Sequence, residues 1–286
     1  VDLLTGSEGD MNRSTADSRT GAWLELLHEI ADAADGLALR FFRRADLRVD
    51  DKSDGSPVSE ADRAIEAAAR ELVAKRVPGT AVYGEEEGGT RESGGTRLII
   101  DPIDGTRNFV RGIPVFASLL AIEEDGHLVA GVVSAPALRT RWFAGRGAGA
   151  FLGPRRLRVS RIDDISRAHL FHGDIGGRTE GMLPPGFHAL TRCVERTRGF
   201  GDFYQHMLVA EGAGEIAIDQ RMQPWDIAAV KIIVEEAGGR ATSFTGVNAV
   251  DVPTLVSTNG RLHEAVLAAF ASQAPPGATA GAGCHP

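Results

Sequence analysis

The sequence predicts a mixed fold, an antiparallel α+β half followed by an α/β half. Apolar residues recur at helical spacing before residue 80, and short apolar runs of strand character crowd between 81 and 144. After about residue 155, strand-like runs alternate with helical ones. Glycine fits the same picture: 35 of 286 residues, above the roughly 7% of ordinary proteins, fall largely in short clusters that suit tight connections.

Residues 1–19 are polar and aperiodic, which predicts a disordered N-terminal segment. Trp23, Leu26, Leu27, Ile30, Ala33, Ala34, Leu37 and Phe41 then mark a helix over 23–42. A polar loop covers 50–57. Ser59 is placed to cap a second helix carrying Ala61, Ile65, Ala68 and Leu72, which Pro78-Gly79 ends. Strands are expected over 81–83, 98–100, 115–122, 128–134 and 141–144, with Glu124-Asp125-Gly126-His127 as a hairpin turn. Beyond that, strands are expected over 169–171, 215–218 and 254–257, and helices over 203–211, 225–237 and 261–271. No Pro/Ser linker separates the halves, 20–155 and 156–272, so one compact unit is expected, followed by a low-complexity disordered tail over 273–286.

Composition excludes several classes. Hydrophobic residues at 43% and charged residues at 24% are globular values. The net charge of −8 argues against nucleic acid as the main partner, because phosphate backbones are bound by Lys/Arg clusters. No run is apolar enough to span a membrane. Two cysteines, Cys193 and Cys284, build no disulfide framework; Cys193 reads as a core thiol, and a reducing, cytoplasmic setting is expected. No P-loop, zincin helix or G-x-S-x-G elbow occurs, and Gly145-Arg146-Gly147-Ala148-Gly149 reads as a hairpin turn. No side-chain nucleophile stands out.

The informative segment is Asp101-Pro102-Ile103-Asp104-Gly105-Thr106, directly after the apolar run Leu98-Ile99-Ile100. Two carboxylates leave the end of a buried strand together; Pro102 bends the backbone and Gly105 permits a positive φ. Asp101 and Asp104 can converge across that bend, with the Ile103 carbonyl left without a strand partner. These are hard oxygen ligands, suited to Mg²⁺ or Mn²⁺. Glu85 and Glu86, in Gly84-Glu85-Glu86-Glu87, lie at another strand end, and Trp225-Asp226 places an acid in the first turn of a helix. A shared cation explains the joint pattern better than three unrelated polar turns.

Glu85-Glu86, the Asp101–Thr106 hexapeptide, and Trp225-Asp226 before a helix ending Glu235-Glu236-Ala237-Gly238-Gly239 resemble the inositol monophosphatase family over about 22–271. The resemblance implies a layered αβαβα sandwich, Mg²⁺-dependent phosphomonoester hydrolysis and a homodimer. It implies that Glu85, Asp101 and the Ile103 carbonyl bind one Mg²⁺ and that Asp101, Asp104 and Asp226 hold a second. Glu85, supported by Asp62, would place water with a weaker third ion; Mn²⁺ could substitute. Thr106 would orient that water, the Gly105 and Thr106 amides would face the phosphate, Lys52 would sit beside the metals, and Glu86 would lie behind them.

Two stretches resemble the branch of that family that acts on histidinol phosphate: Asn108-Phe109-Val110-Arg111-Gly112-Ile113-Pro114-Val115 with Phe116-Ala117-Ser118, and Gly201-Asp202-Phe203. A leaving group carrying an ammonium and an imidazole favours acids in its pocket, and Asp202 and Asp219 meet that need. Asp202 also suits the cap of the helix over 203–211. The expected partner is thus a small phosphate monoester. Inositol 1-phosphate or a range of sugar phosphates form the alternative, and a binding factor for RNA or the transcription machinery is the alternative outside enzymes.

Overall fold

The computed structural model describes residues 8–52, 55–89, 94–176 and 182–272, with side chains from 18 onward. The expected tail over 273–286, the first seven residues, and Ser53-Asp54 of the Lys52 loop lie outside the described residues. The chain opens with α1 (Glu8–Phe41), β1 (Val49–Asp51), β2 (Pro57–Ser59) and α2 (Glu60–Arg76). Then come β3 (Ala81–Gly84), β4 (Thr96–Asp104), α3 (Thr106–Val110), β5 (Ala117–Glu124), β6 (His127–Ala135), β7 (Thr140–Gly145), β8 (Gly149–Leu152) and β9 (Arg155–Arg156). The second part holds β10 (His169–His172), α4 (Phe187–Cys193), β11 (Arg196–Gly199), α5 (Asp202–Ala210) and β12 (Ile216–Gln220). It closes with α6 (Pro224–Glu236), β13 (Arg240–Thr242), β14 (Thr254–Thr258) and α7 (His263–Ala271).

Strands β3 to β9 form a seven-stranded sheet in chain order, antiparallel except for the parallel β3–β4 pair. The second sheet runs β11-β10-β12-β14-β13. Alternation along β4 sorts the layers. Leu98 and Ile100 face α1 and α2 with Leu27, Ile30 and Val73, whereas Ile99 faces α5 and α6 with Met207, Ala229 and Ile233. Helices α4 and α7 cover the far face of the five-stranded sheet through Phe187, Leu190, Val266 and Phe270. The result is an αβαβα sandwich.

Helix α6 is apolar nearly all round: Ile227, Ala228, Ala229, Val230, Ile232, Ile233 and Val234 are all buried. Such a helix is stable only with protein on every side, and here it lies between the two sheets. The Asp125-Gly126 hairpin turn joins β5 to β6 with both residues at positive φ, 48° and 78°, the type I′ geometry that matches strand twist.

Several elements differ from expectation. Helix α1 begins at Glu8, well before Trp23, so residues 8–19 are helical where a disordered segment was expected, because a nucleated helix extends cheaply. The short strands β1, β2, β8, β9, β11 and β13 and the helices α3 and α4 have too few residues for a detectable period. Cys193 is half-buried and disulfide-bonded, not the free core thiol expected; Cys284 lies outside the described residues. No helix of the described residues is long and apolar enough to cross a membrane.

Ile233 is fully buried between the sheets. Ile233→Ala should cost about 2–5 kcal/mol of unfolding free energy, read as a lower midpoint with unchanged slope in urea denaturation. A loss below 1 kcal/mol would mean that α6 is not the shared core.

Candidate active site

Strand β4 delivers the first carboxylates. Its ladder with β5 shifts register between Asp101 and Asp104, where Pro102 has no N–H to give. The shift rotates Asp104 back to the Asp101 side, while Ile103 packs into the cluster of α1, α2 and Phe109. Gly105 takes φ +82°, as Thr106 starts α3. Helix α6 brings Asp226 to the same place from the other side of the core, and one oxygen each of Asp101, Asp104 and Asp226 lies within 4.8 Å of the others. The cavity there, about 190 Å³, is also lined by Glu85, Gly105, Thr106, Asp202 and Asp219.

Two helix starts meet these acids, and a third holds Asp62. The Phe203 amide at the head of α5 donates to Asp104 Oδ2 at 2.7 Å. The Gln223 amide before α6 donates to Asp226 Oδ2 at 2.7 Å. At α2, Asp62 Oδ2 accepts from the Ser59 amide at 2.8 Å and the Ser59 hydroxyl at 2.6 Å, in a capping box. Each amide bond fixes one carboxylate oxygen and satisfies one orphan helix donor.

Burial and mutual repulsion raise the carboxyls. Asp101 is pushed well above the carboxylate range by burial, then by Glu85, Asp104 and Asp226. Asp104 is raised the same way by burial, Asp202 and Asp226. Burial is also the main cause that takes Asp226 up to about 7, and Asp62 and Asp202 to about 6. Lys52 Nζ donates to Glu85 Oε1 at 2.6 Å and Glu86 Oε1 at 2.7 Å. Burial alone would lower that ammonium, but the two carboxylates raise it. Glu86 nonetheless rises to about 7, because burial outweighs the Lys52 contact.

The arrangement fits a divalent cation. Asp101 Oδ1 is buried and accepts no hydrogen bond from the described residues, and unpaired acids so close together need a positive charge between them. Oxygen-only donors suit Mg²⁺ or Mn²⁺. A larger cavity of about 530 Å³ runs along α6, but its buried charges are already paired, Arg97 with Glu123 and Lys231 with Glu235.

Of the residues singled out in the sequence, Glu85, Asp101, Ile103, Asp104, Gly105, Thr106, Asp202, Asp219 and Asp226 come together around the cavity. Asp62 does not line it; its second oxygen reaches only the Thr106 hydroxyl, at 3.4 Å. The Ile103 carbonyl, expected to lack a strand partner, accepts from Thr106 Oγ1 at 2.9 Å. Asp202 does not cap α5 with its side chain, because Gly201 holds the cap position without one. Instead Asp202 sits at φ +52° and accepts from Asn108 Nδ2 at 3.0 Å. Sequence reading missed Gln205, whose Nε2 donates to Asp219 Oδ2 at 3.0 Å. The i, i+3 spacing from Asp202 was the only signal for it.

The model of the inositol monophosphatase family matches residues 22–274. The chain is 47% identical to the histidinol-phosphatase of Mycobacterium tuberculosis, covering 85% of this chain and 96% of that one. It is 43% identical to the histidinol-phosphatase of Streptomyces coelicolor, over 85% and 95%. The solved structure of the extragenic suppressor protein suhB from Bartonella henselae superposes with a TM-score of 0.81 at 29% identity, over 87% and 98%. Fold and acid cluster thus define a member of a phosphoric monoester hydrolase class. The chain belongs to the inositol monophosphatase family.

The raised carboxyls are the larger of two opposed sources of pH dependence in the metal-free fold, the other being His206 and His263, which burial lowers to about 3 and about 4. The carboxyls bind protons more tightly folded than unfolded, so their contribution is complete below about pH 4 and is lost as pH rises through about 6 to 7. Melting of metal-stripped protein should give a lower Tm at neutral pH than near pH 5, with Mg²⁺ restoring the loss. A Tm that rises over that interval without metal would contradict the electrostatics of the site.

Proposed function

We propose that the protein is a Mg²⁺-dependent histidinol-phosphate phosphatase, converting L-histidinol phosphate and water to L-histidinol and phosphate without a phosphoenzyme. The observation that carries this reading is the placing of Asp202 and Asp219 beside the Asp101, Asp104 and Asp226 cluster. Both are raised chiefly by burial, so both gain from a cationic leaving group in contact. The names of the Mycobacterium and Streptomyces relatives support the same substrate.

In this reading Glu85, Asp101 and the second lone pair of the Ile103 carbonyl hold one Mg²⁺, and Asp101, Asp104 and Asp226 hold another. Glu85 takes part in a weaker third site, with Mn²⁺ able to replace Mg²⁺ at each. Bound there, the cations neutralise the phosphate dianion and lower the pKa of water. Thr106, fixed by the Ile103 carbonyl and approached by Asp62, orients the attacking water, and the Gly105 and Thr106 amides face the phosphate. Lys52 keeps Glu85 and Glu86 together, with Glu86 behind the ligands. Asp202, steadied by Asn108, and Asp219, steadied by Gln205, hold the ammonium and imidazole of the leaving alcohol. The half over 20–155 supplies the metal side and the half over 156–272 the substrate side. The working form is a homodimer, as the family resemblance implies, and the reaction is a step of histidine biosynthesis.

Phosphate release should be compared for histidinol phosphate, inositol 1-phosphate, fructose 1,6-bisphosphate and glycerol phosphate with Mg²⁺. A large kcat/KM advantage for histidinol phosphate is expected, and equal low rates on all four would leave a broad phosphatase instead. Asp202→Asn should lower kcat/KM for histidinol phosphate about tenfold or more, the loss of about 1.4 kcal/mol, and that for glycerol phosphate far less. Equal losses on both esters would remove the leaving-group role.

A further inference from the structure

Behind the Glu85 turn lies an ion pair that the mechanism does not use. Glu66, on α2, is fully buried yet lines no part of the cavity. Its Oε2 accepts from the Glu86 amide at 2.8 Å and its Oε1 from the Glu87 amide at 3.1 Å. One helical turn later, Arg70 donates to the same Oε1 through Nη2 at 2.7 Å and Nε at 3.1 Å. Arg70 Nη2 also donates to the Gly88 carbonyl at 2.7 Å, and Gly88 closes the turn by accepting from the Gly84 amide at 3.0 Å. The helix therefore grips this turn at three backbone positions, 86, 87 and 88.

The fit is close from the other side as well. A Cβ added at Gly84 would lie 2.4 Å from Glu66 Oε1 and 2.6 Å from Oε2. The Glu66 carboxylate cannot move aside freely, because the two amides and Arg70 hold it. Three consecutive acids, Glu85, Glu86 and Glu87, would drive an unsupported turn apart, and Glu85 is also repelled by Asp101. Fastening the backbone rather than the Glu85 side chain keeps that carboxylate aimed at the cavity without consuming its oxygens. Groups that orient ligands in this way set metal affinity, and their loss commonly costs about 10- to 100-fold.

We propose that Glu66 and Arg70 are positioning residues that fix the Glu85 turn from behind and so set the affinity of the site for a divalent cation. The proposal rests on the reading of Glu85 as a ligand. It predicts that Glu66→Gln, which replaces one acceptor with an N–H facing an amide N–H, weakens cation binding about tenfold or more. Arg70→Lys, which keeps the charge but loses the fork, and Gly84→Ala, which leaves Glu66 intact but pushes the turn off it, should act in the same direction. Arg76→Ala, on the same helix as Glu66 but in an exposed pair with Glu29 of α1, should change nothing.

The test is a Mn²⁺ titration of metal-stripped full-length protein, with free Mn²⁺ read by electron paramagnetic resonance and Tm measured on each variant without metal. In parallel, Mg²⁺ activation should show a raised half-saturating concentration with kcat at saturating Mg²⁺ within about threefold of the parent for Glu66→Gln. Glu85→Gln serves as the reference. If Glu85→Gln loses Mn²⁺ while Glu66→Gln and Gly84→Ala bind as the parent does, whatever their Tm, the positioning role is overturned and the ligand reading stands. If Glu85→Gln itself binds as the parent does, the ligand reading falls, and this proposal with it. Should Glu66→Gln fail to fold, Gly84→Ala and Arg70→Lys decide the same question.

Discussion

Several carboxylates share a small buried volume, and most of the structure around them serves to tolerate that. Asp101 is almost wholly buried, and Asp104 and Asp226 lie within 4.8 Å of it by one oxygen each. Charged groups so placed repel one another and lose their hydration, which is why their carboxyls rise. The protein answers with backbone N–H groups rather than with arginines. The Phe203, Gln223 and Ser59 amides each take one oxygen, and each stands at a helix start where the donor would otherwise be unpaired. Lys52 is the only cationic side chain that pairs with the Glu85-Glu86 acids among the described residues. Partial neutralisation of this kind holds the acids in place and leaves oxygens for a metal.

The layering follows from the same requirement. Acids from β4, the β3 turn and the α6 start meet only if α6 runs between two sheets with its N-terminus at the open end of β4. An all-round apolar helix makes that position the stable one. The edge-on contact of Trp225 with Tyr83, with ring centroids 5.3 Å apart, pins the start of α6 to β3 next to the Glu85 turn. A mixed α/β sandwich with functional residues at strand ends and helix starts thus gains rigidity from its core and reactivity from its edges.

The sequence made the long elements legible. Helix α2 with its Ser59 cap, the β5–β6 hairpin and α6 all carry a clear period, cap or turn signal, and all lie where that signal places them. The metal-site acids were legible for a different reason. Asp101-Pro102-Ile103-Asp104-Gly105-Thr106 states its own geometry, because Pro102 fixes its own φ and Gly105 permits the positive φ that ends the strand, so the two acids turn together. Short strands such as β9 and β11 carried no such signal, and nothing next to Cys193 in the sequence marks it as bonded.

By itself, then, the sequence determined the helices with full apolar periods, the bend that pairs Asp101 with Asp104, and the oxygen-only chemistry that suits Mg²⁺. These are local matters, decided by side-chain period and backbone sterics within a few residues. Tertiary structure alone decided that Asp202 accepts from Asn108, 94 residues away in the chain, instead of capping α5. It also decided that Glu66 reaches the amides of Glu86 and Glu87, 20 and 21 residues away. Those choices depend on which hydrogen-bonding groups are brought within about 3 Å once the layers close, and distance in space is not written in the order of the chain.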